Sequence, residues 1–349
     1  MGLDLLAVLL LIKIVLVIGA VLTFVAYLTL LERKLLGWIQ VRIGPNRVGP
    51  WGLLQPLADG AKLLLKEEIT VAKANKVVYI VAPLIVVVCA IIPFSVIPFA
   101  NGLGLEKILG PGANMFDLNT GVVADINVGI LFIFGISSLG VYGVVLGGWA
   151  SNSKYSLLGS VRAGAQMISY ELGLSLSVLG VLLLAGTLSL TEIVRAQDEI
   201  WKWWVFRQPF GFILFLIAGS AEIARTPFDL LECENELVAG YQTEYSSMKF
   251  GLFYLGEYAH LLFLSSLMTT LYFGGWQAPI SALSFVPPIF WFLGKTFFFV
   301  AIFVWIRGTY PRLRYDRVMS FGWKVLLPVG LLNVMVTAFL YAMWLQRQV

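Results

Sequence analysis

Charge is what this sequence lacks. Of its 349 residues only 13% are Asp, Glu, Lys or Arg, about half of the roughly 25% typical of a soluble globular domain. With 59% hydrophobic residues and a mean hydropathy of +0.87, the chain has too little polar surface for a water-soluble enzyme. Most of it belongs in lipid. Cysteine is nearly absent: Cys89 and Cys233 stand far apart and outside any CxxC pattern. That spacing excludes a disulfide framework and an iron–sulfur cluster held by this chain. A single histidine, His260, is too few for a histidine metal site, so its reading is helix packing. No G-x-G-x-x-G follows a strand and no P-loop occurs, which excludes the common nucleotide sites. The N-terminus lacks a basic n-region, a cleavage site and the Ser/Thr of a myristoylation signal, so it reads as a retained first span.

What is present is apolar length. A bilayer core takes roughly 20 apolar residues per helix, and eight stretches qualify: about 4–31, 77–100, 121–149, 160–187, 206–226, 250–273, 284–306 and 323–346. The expected fold is an all-α polytopic membrane protein, a single integral membrane domain over residues 1–349. Glycines 140, 143, 147 and 148 in the third span read as small residues that let helices approach. Most of the 24 lysines and arginines fall in or beside loops 1–2, 3–4, 5–6 and 7–8. The opposite side holds only Lys107, Arg195, Lys202, Arg207 and Arg347. By the positive-inside rule both termini face away from the cytoplasm, with cytoplasmic loops at about 32–76 and 227–249. "WKWWVF" (201–206) then reads as an aromatic belt on the outer side.

Ionisable groups within spans cost about 2.5–3.5 kcal/mol each on the insertion scale, so each needs a reason. Four stand out as candidates for a proton pathway: Glu171 in "ISYELGLS", Glu222 in "GSAEIART", Glu257 in "YLGEYAHL" and Lys295 in "FLGKTFFF". At about 1.5 Å per residue, Glu222 comes out about 6 Å deep, Glu257 about 10 Å, Glu171 about 16 Å and Lys295 near mid-span. Above them "RTPFDLLECENELVAGYQTEY" carries Asp229, Glu232, Glu234, Glu236 and Glu244, with no base between Arg225 and Lys249. Pro227 should end span 5. If the segment beyond is helical, Asp229, Glu232 and Glu236 share a face. Carboxylates crowded this way repel, so some hold a proton near neutral pH and can pass it on through water. The competing reading makes each glutamate a structural partner, Glu222 for Arg225 and Glu171 for Lys295.

In "WGLLQPLADGAKLLLKEE", Leu53, Leu54, Leu57, Ala58, Ala61, Leu64 and Leu65 recur at helical spacing, with Gln55, Asp59, Lys62 and Lys66 between them. The pattern predicts an amphipathic helix of about four turns lying in the membrane interface, within the first cytoplasmic loop. Before it, "RIGPNRVGP" combines stiff prolines and bending glycines that present Arg42 and Arg47 near Glu32, Arg33 and Lys34. A polar collar beside a half-submerged helix makes a doorway for a greasy molecule with a polar head. A plain interfacial anchor is the alternative.

Three blocks, "LLERKLLGWIQVRIGPNRVGPWGLLQPLADGAKLLLKEE", "GWASNSKYSLLGSVRAGAQMISYELGLSLS" and "AEIARTPFDLLECENELVAGYQTEYSSMKFGLFYLGEY", resemble the quinone-channel membrane subunit of respiratory complex I, the proton-pumping NADH:quinone oxidoreductase. The resemblance implies a bacterial inner (plasma) membrane protein that joins a hydrophilic redox arm to a membrane arm and forms most of a quinone channel. It implies no redox centre in this chain. Quinone is the substrate, and flavin and iron–sulfur clusters sit in partner subunits. The implied partners are hydrophilic quinone-site and iron–sulfur subunits, neighbouring small membrane subunits and the lipid bilayer, with no nucleic acid. By motif match, Glu32, Arg33, Arg42, Asp59, Arg225, Phe228 and Asp229 border the quinone path. Glu171, Glu222 and Glu257, with loop residues Glu232, Glu234, Glu236 and Glu244, match a glutamate-rich proton route. Two departures stand out. Leu231 and Cys233 replace the family's smaller residues. Span 3 offers Ser137 and Ser138 where some members carry a carboxylate. Related hydrogenase or ferredoxin-linked complexes share the fold. A stand-alone ion-coupled transporter is the rival from another class, although no paired halves are visible, and a purely structural anchor is the other.

Overall fold

In lipid a backbone can pair its polar groups only within a helix or a closed barrel, so long apolar runs of this kind fold as helices. The computed structural model describes residues 3–100, 121–229, 238–280, 283 and 285–346. Its long helices are α1 (Leu3–Ile39), α2 (Gln55–Leu65), α3 (Lys76–Ile91), α4 (Gly129–Ala150), α5 (Lys154–Ala185), α6 (Pro209–Glu222), α7 (Ser247–Tyr272), α8 (Pro288–Thr309) and α9 (Leu327–Gln346). There is no strand among the described residues. Six of the helical stretches there are long and apolar enough to cross a membrane, which makes this an integral membrane protein.

The two expected spans outside those six differ for physical reasons. Helix α6 has 14 residues, about 21 Å at 1.5 Å per residue, short of a hydrocarbon core of about 30 Å. It ends at Glu222, well before Pro227. Ala224 there takes a left-handed φ of 56°, and the chain continues without helix. Non-helical backbone at such depth needs partners from protein. The buried Gln166 of α5 supplies them, its Nε2 donating to the carbonyls of Ala221 and Phe228 at 2.8 Å each. Helix α7 is long enough, at 26 residues, but polar. Every residue from Leu261 to Tyr272 is buried, so protein rather than lipid surrounds it. The hydroxyls of Ser265, Ser266, Thr269 and Thr270 donate back to carbonyls three or four residues earlier, which hides their polarity.

Around α7, helix α3 packs on α4, α4 on α5, and α5 on α6 and α9, while α1 and α8 cover the opposite flank. The span-3 glycines act at these contacts. A Cβ on Gly143 would come within 2.5 Å of Val86, and one on Gly148 would collide with Ser160. Between α1, α7 and α8 lies an almost wholly apolar cavity of about 640 Å³. The expected belt at 201–206 divides: Trp201 and Phe206 are exposed, whereas Trp203 and Trp204 are buried.

Helix α1 runs to Ile39, so Glu32, Arg33 and Lys34 are helical. Helix α2 is three turns long rather than four, and none of its residues is buried. Leu57, Leu64 and Leu65 stay uncovered by protein. Polar contacts hold it and the turn before it: Arg33 to Asp59, Lys34 Nζ to the Trp51 carbonyl at 2.5 Å, and Ser247 Oγ to the Leu63 carbonyl at 2.9 Å. The bend before it needs Gly52, whose φ is 78° and whose missing Cβ would collide with the Pro45 carbonyl.

Candidate functional site

Where α6 stops, Arg225 projects into protein and becomes the centre of a buried ion cluster. Its Nη1 donates to Glu32 Oε2 at 2.5 Å and its Nε to Glu257 Oε1 at 2.9 Å. Arg307 of α8 holds the other oxygen of Glu32. The Arg225 guanidinium also lies 4.2 Å over the Tyr258 ring. Three helices and one broken helix end therefore meet on four charges. Glu32 is 2% and Arg225 6% exposed. Charges so buried persist only when paired, and removing one partner typically costs about 3–5 kcal/mol. The pairing of Arg225 with Glu222, expected from their spacing, does not occur: the helix ends between them and turns Arg225 towards α1 and α7.

Glu257 also faces a second space. A cavity of about 70 Å³ is lined by Glu171, Glu222, Glu257, His260 and Ser137. A water needs at least about 10–15 Å³ and two to four polar partners, so this cavity has room for a few. Glu222 Oε1 accepts from Ser137 Oγ at 3.2 Å and lies 3.3 Å from His260 Nε2. The imidazole is near enough to exchange a proton yet misaligned for a hydrogen bond. Its Nε2 and the other Glu222 oxygen, Oε2, have no hydrogen-bond partner. The short α6 brings the Glu222 carboxylate to His260, one turn beyond Glu257 along α7.

The other expected site residues divide. Lys295 stands apart from the glutamates: its Nζ donates to the carbonyls of Phe273, Gly275 and Gln277 at 2.7, 3.1 and 2.7 Å, capping the far end of α7. Thirteen residues separate that end from His260, about 20 Å along the helix. The carbonyls take all three donors of the ammonium, so the expected pairing with Glu171 does not form. Glu244 offers its carbonyl to Tyr79 Oη at 2.6 Å, beside the stacked Tyr79 and Tyr245 rings. Burial pushes the Tyr245 phenol above its ordinary pKa, so it serves as a donor to the Gly147 carbonyl. Phe228 is buried against Tyr170, and Asp229 is strapped to Arg312. Arg33 and Asp59 pair at 2.6 Å on the surface, and exposed Arg42 bonds Gln40. Glu232, Glu234 and Glu236 lie outside the described residues.

Sequence reading missed Arg307, Gln166 and the position of His260. Arg307 looks like one of several loop bases, and nothing in its spacing links it to Glu32, 275 residues away. His260 carried a signal: it follows Glu257 by three, so both share one face of α7. Among the described residues no group of three or more His, Cys, Asp and Glu side chains is arranged to hold a metal ion.

Comparison with known proteins bears on this arrangement. The family model described as NADH dehydrogenase matches residues 12–338. The chain is 50% identical over 350 residues to an H-type subunit of NADH-quinone oxidoreductase in Koribacter versatilis, covering 95% of this chain and 97% of that one. It is 52% identical over 327 residues to an H-type subunit of the same enzyme in Geobacter sulfurreducens, covering 94% of each. With the counterpart in Syntrophotalea carbinolica it shares 51% over 332 residues, covering 95% and 96%.

Proposed function

Since the chain belongs to the NADH dehydrogenase family, as the H-type membrane subunit of NADH-quinone oxidoreductase, we propose that it couples quinone chemistry at its first-loop end to proton movement through its glutamates. The observation that carries this reading is Glu257: it belongs both to the ion cluster with Arg225 and Glu32 and to the cavity with Glu222 and Glu171. A change of charge beside Glu32 alters the field on Arg225. Arg225 then holds Glu257 more or less tightly, and Glu257 takes or gives a proton on its cavity side. A low local dielectric makes such couplings strong.

The quinone enters from lipid past α2, whose uncovered leucines lie in the interface, and meets its headgroup partners on a neighbouring hydrophilic subunit. Arg33, Asp59, Arg42, Phe228 and Asp229 rim that path. Glu232, Glu234, Glu236 and Glu244 belong to the same glutamate-rich proton route. On this reading the chain is one membrane domain of eight crossings, with α6 and α7 as the fifth and sixth. It sits in a bacterial inner membrane with both termini outside the cytoplasm. Its partners are the other subunits of the oxidoreductase, and flavin and iron–sulfur clusters on those partners carry the electrons.

The test is Glu257→Gln and Glu222→Gln in the assembled complex, with quinone reduction and proton translocation measured together. Each variant is expected to lower coupled turnover at least about tenfold, as removal of a positioned proton carrier does. Unchanged rates with unchanged proton yield in both variants would leave the glutamates a packing role only.

A further inference from the structure

His260 is not accounted for by packing. A ring nitrogen buried in a half-buried imidazole normally finds a hydrogen-bond partner, because burying a polar atom unpaired is costly. Here Nε2 is buried without one, although the ring rests against Phe263 at 5.8 Å between centroids. Glu222 Oε1 lies 3.3 Å away, and Glu222 Oε2 is likewise buried and unbonded. Both residues thus line one small cavity, which also receives Glu171 from α5 and Glu257 from the previous turn of α7. Ser137 of α4 contributes a hydroxyl and Cys89 of α3 a thiol, and Glu257 carries the positive charge of Arg225 beside it.

From this geometry we infer that His260 is a proton-carrying residue of the pathway, exchanging a proton between Glu222 and the cavity that Glu171 lines. The inference rests on the proton-pathway reading above and adds a residue that this reading does not contain. The chemistry balances without a co-reactant. The neutral ring accepts a proton at one nitrogen from the Glu222 carboxyl, leaving carboxylate and imidazolium side by side. It then releases a proton towards the cavity and returns to neutral. Imidazole suits the task because its ordinary range spans neutral pH and it can bind and release through different atoms. Ser137 Oγ of α4 orients Glu222 by donating to it, and the imidazole supplies the titratable group.

The experiment uses membrane vesicles carrying the assembled complex. It compares wild type, His260→Asn, His260→Gln, Glu222→Gln and the double variant His260→Asn with Ser137→Glu. Complex content, NADH-driven quinone reduction and proton translocation are followed across about pH 5–8, the range in which an imidazole changes charge. The expected result is normal complex content and about a tenfold loss of coupled turnover in both histidine variants, as expected for a lost proton carrier. The imidazole limb of the pH profile should disappear as well. Substantial recovery is expected when a carboxylate is added at position 137. If the histidine variants match wild type while Glu222→Gln is uncoupled, His260 is a bystander and the glutamate pathway stands without it. Wild-type behaviour of Glu222→Gln as well would overturn the pathway and this inference together. Slow turnover with an unchanged pH profile, or failure of both histidine variants to assemble, would make the imidazole a positioning or packing group and overturn the inference.

Discussion

At the scale of single residues, burial decides which charges matter. Arg225 and Lys295 are both cations within the protein, yet their surroundings assign them opposite tasks. Arg225 bridges two carboxylates from different helices, so its loss leaves Glu257 without its ion-pair partner and Glu32 with Arg307 alone. Arg225→Met is expected to destabilise the complex by about 3–5 kcal/mol and to abolish coupled turnover, read by thermal unfolding and by proton translocation. Arg225→Lys should recover only part of this, since an ammonium cannot reproduce the guanidinium fork. Lys295 meets backbone carbonyls at the end of α7 and the face of the Trp203 ring. Lys295→Met is expected to cost about 2–3 kcal/mol in stability through carbonyls left without a charged donor. The number of protons moved per quinone reduced should stay at the wild-type value. A changed ratio would return Lys295 to the pathway.

At the scale of elements, the break in α6 does the positioning. A continuous helix through Arg225 would have kept Glu222 and Arg225 on one face, three residues apart, and reached neither α1 nor α7. Stopping at Glu222 lets the carboxylate turn to His260 and the guanidinium turn to Glu32. Gln166 keeps the broken end paired in an apolar setting. Gln166→Leu preserves volume but leaves the Phe228 carbonyl without its donor, at an expected cost of roughly 1–3 kcal/mol. Thermal unfolding of the complex should show that loss, together with faster hydrogen exchange through residues 221–229. Unaltered exchange there would mean that other contacts hold the break. The glycines of α4 work in the same direction, since a side chain at Gly143 or Gly148 would push α3 and α5 away from the cavity they enclose.

At the scale of the whole molecule, an uneven distribution of burial marks out a component of a larger assembly. Helix α7 is enclosed, whereas α1 leaves Val15 and Leu16 about two-thirds exposed and borders the 640 Å³ apolar cavity. Apolar surface of this extent is stable only against lipid or partner chains. Gentle detergent extraction of the native membrane is therefore expected to co-purify flavin and iron–sulfur subunits with this chain. The purified single chain is expected not to oxidise NADH. Recovery with hydrogenase subunits instead would redirect the assignment of the electron donor.

Composition and spacing alone determined that this is a helical membrane protein, where its apolar segments run, and that Glu171, Glu222 and Glu257 need an explanation. Those conclusions follow from local quantities, hydropathy and the cost of charge in lipid, which the sequence carries residue by residue. Helix ends were less legible, because α1 outlasts its apolar run and α6 stops inside its own. Such ends depend on partners like Gln166 and Glu32, supplied by distant parts of the chain. Only the tertiary structure decided that Arg225 joins Glu32 and Arg307, that Lys295 caps a helix, and that His260 faces Glu222. Contacts between residues far apart in sequence leave no periodicity to read, and packing alone selects which of several allowed charge pairings forms.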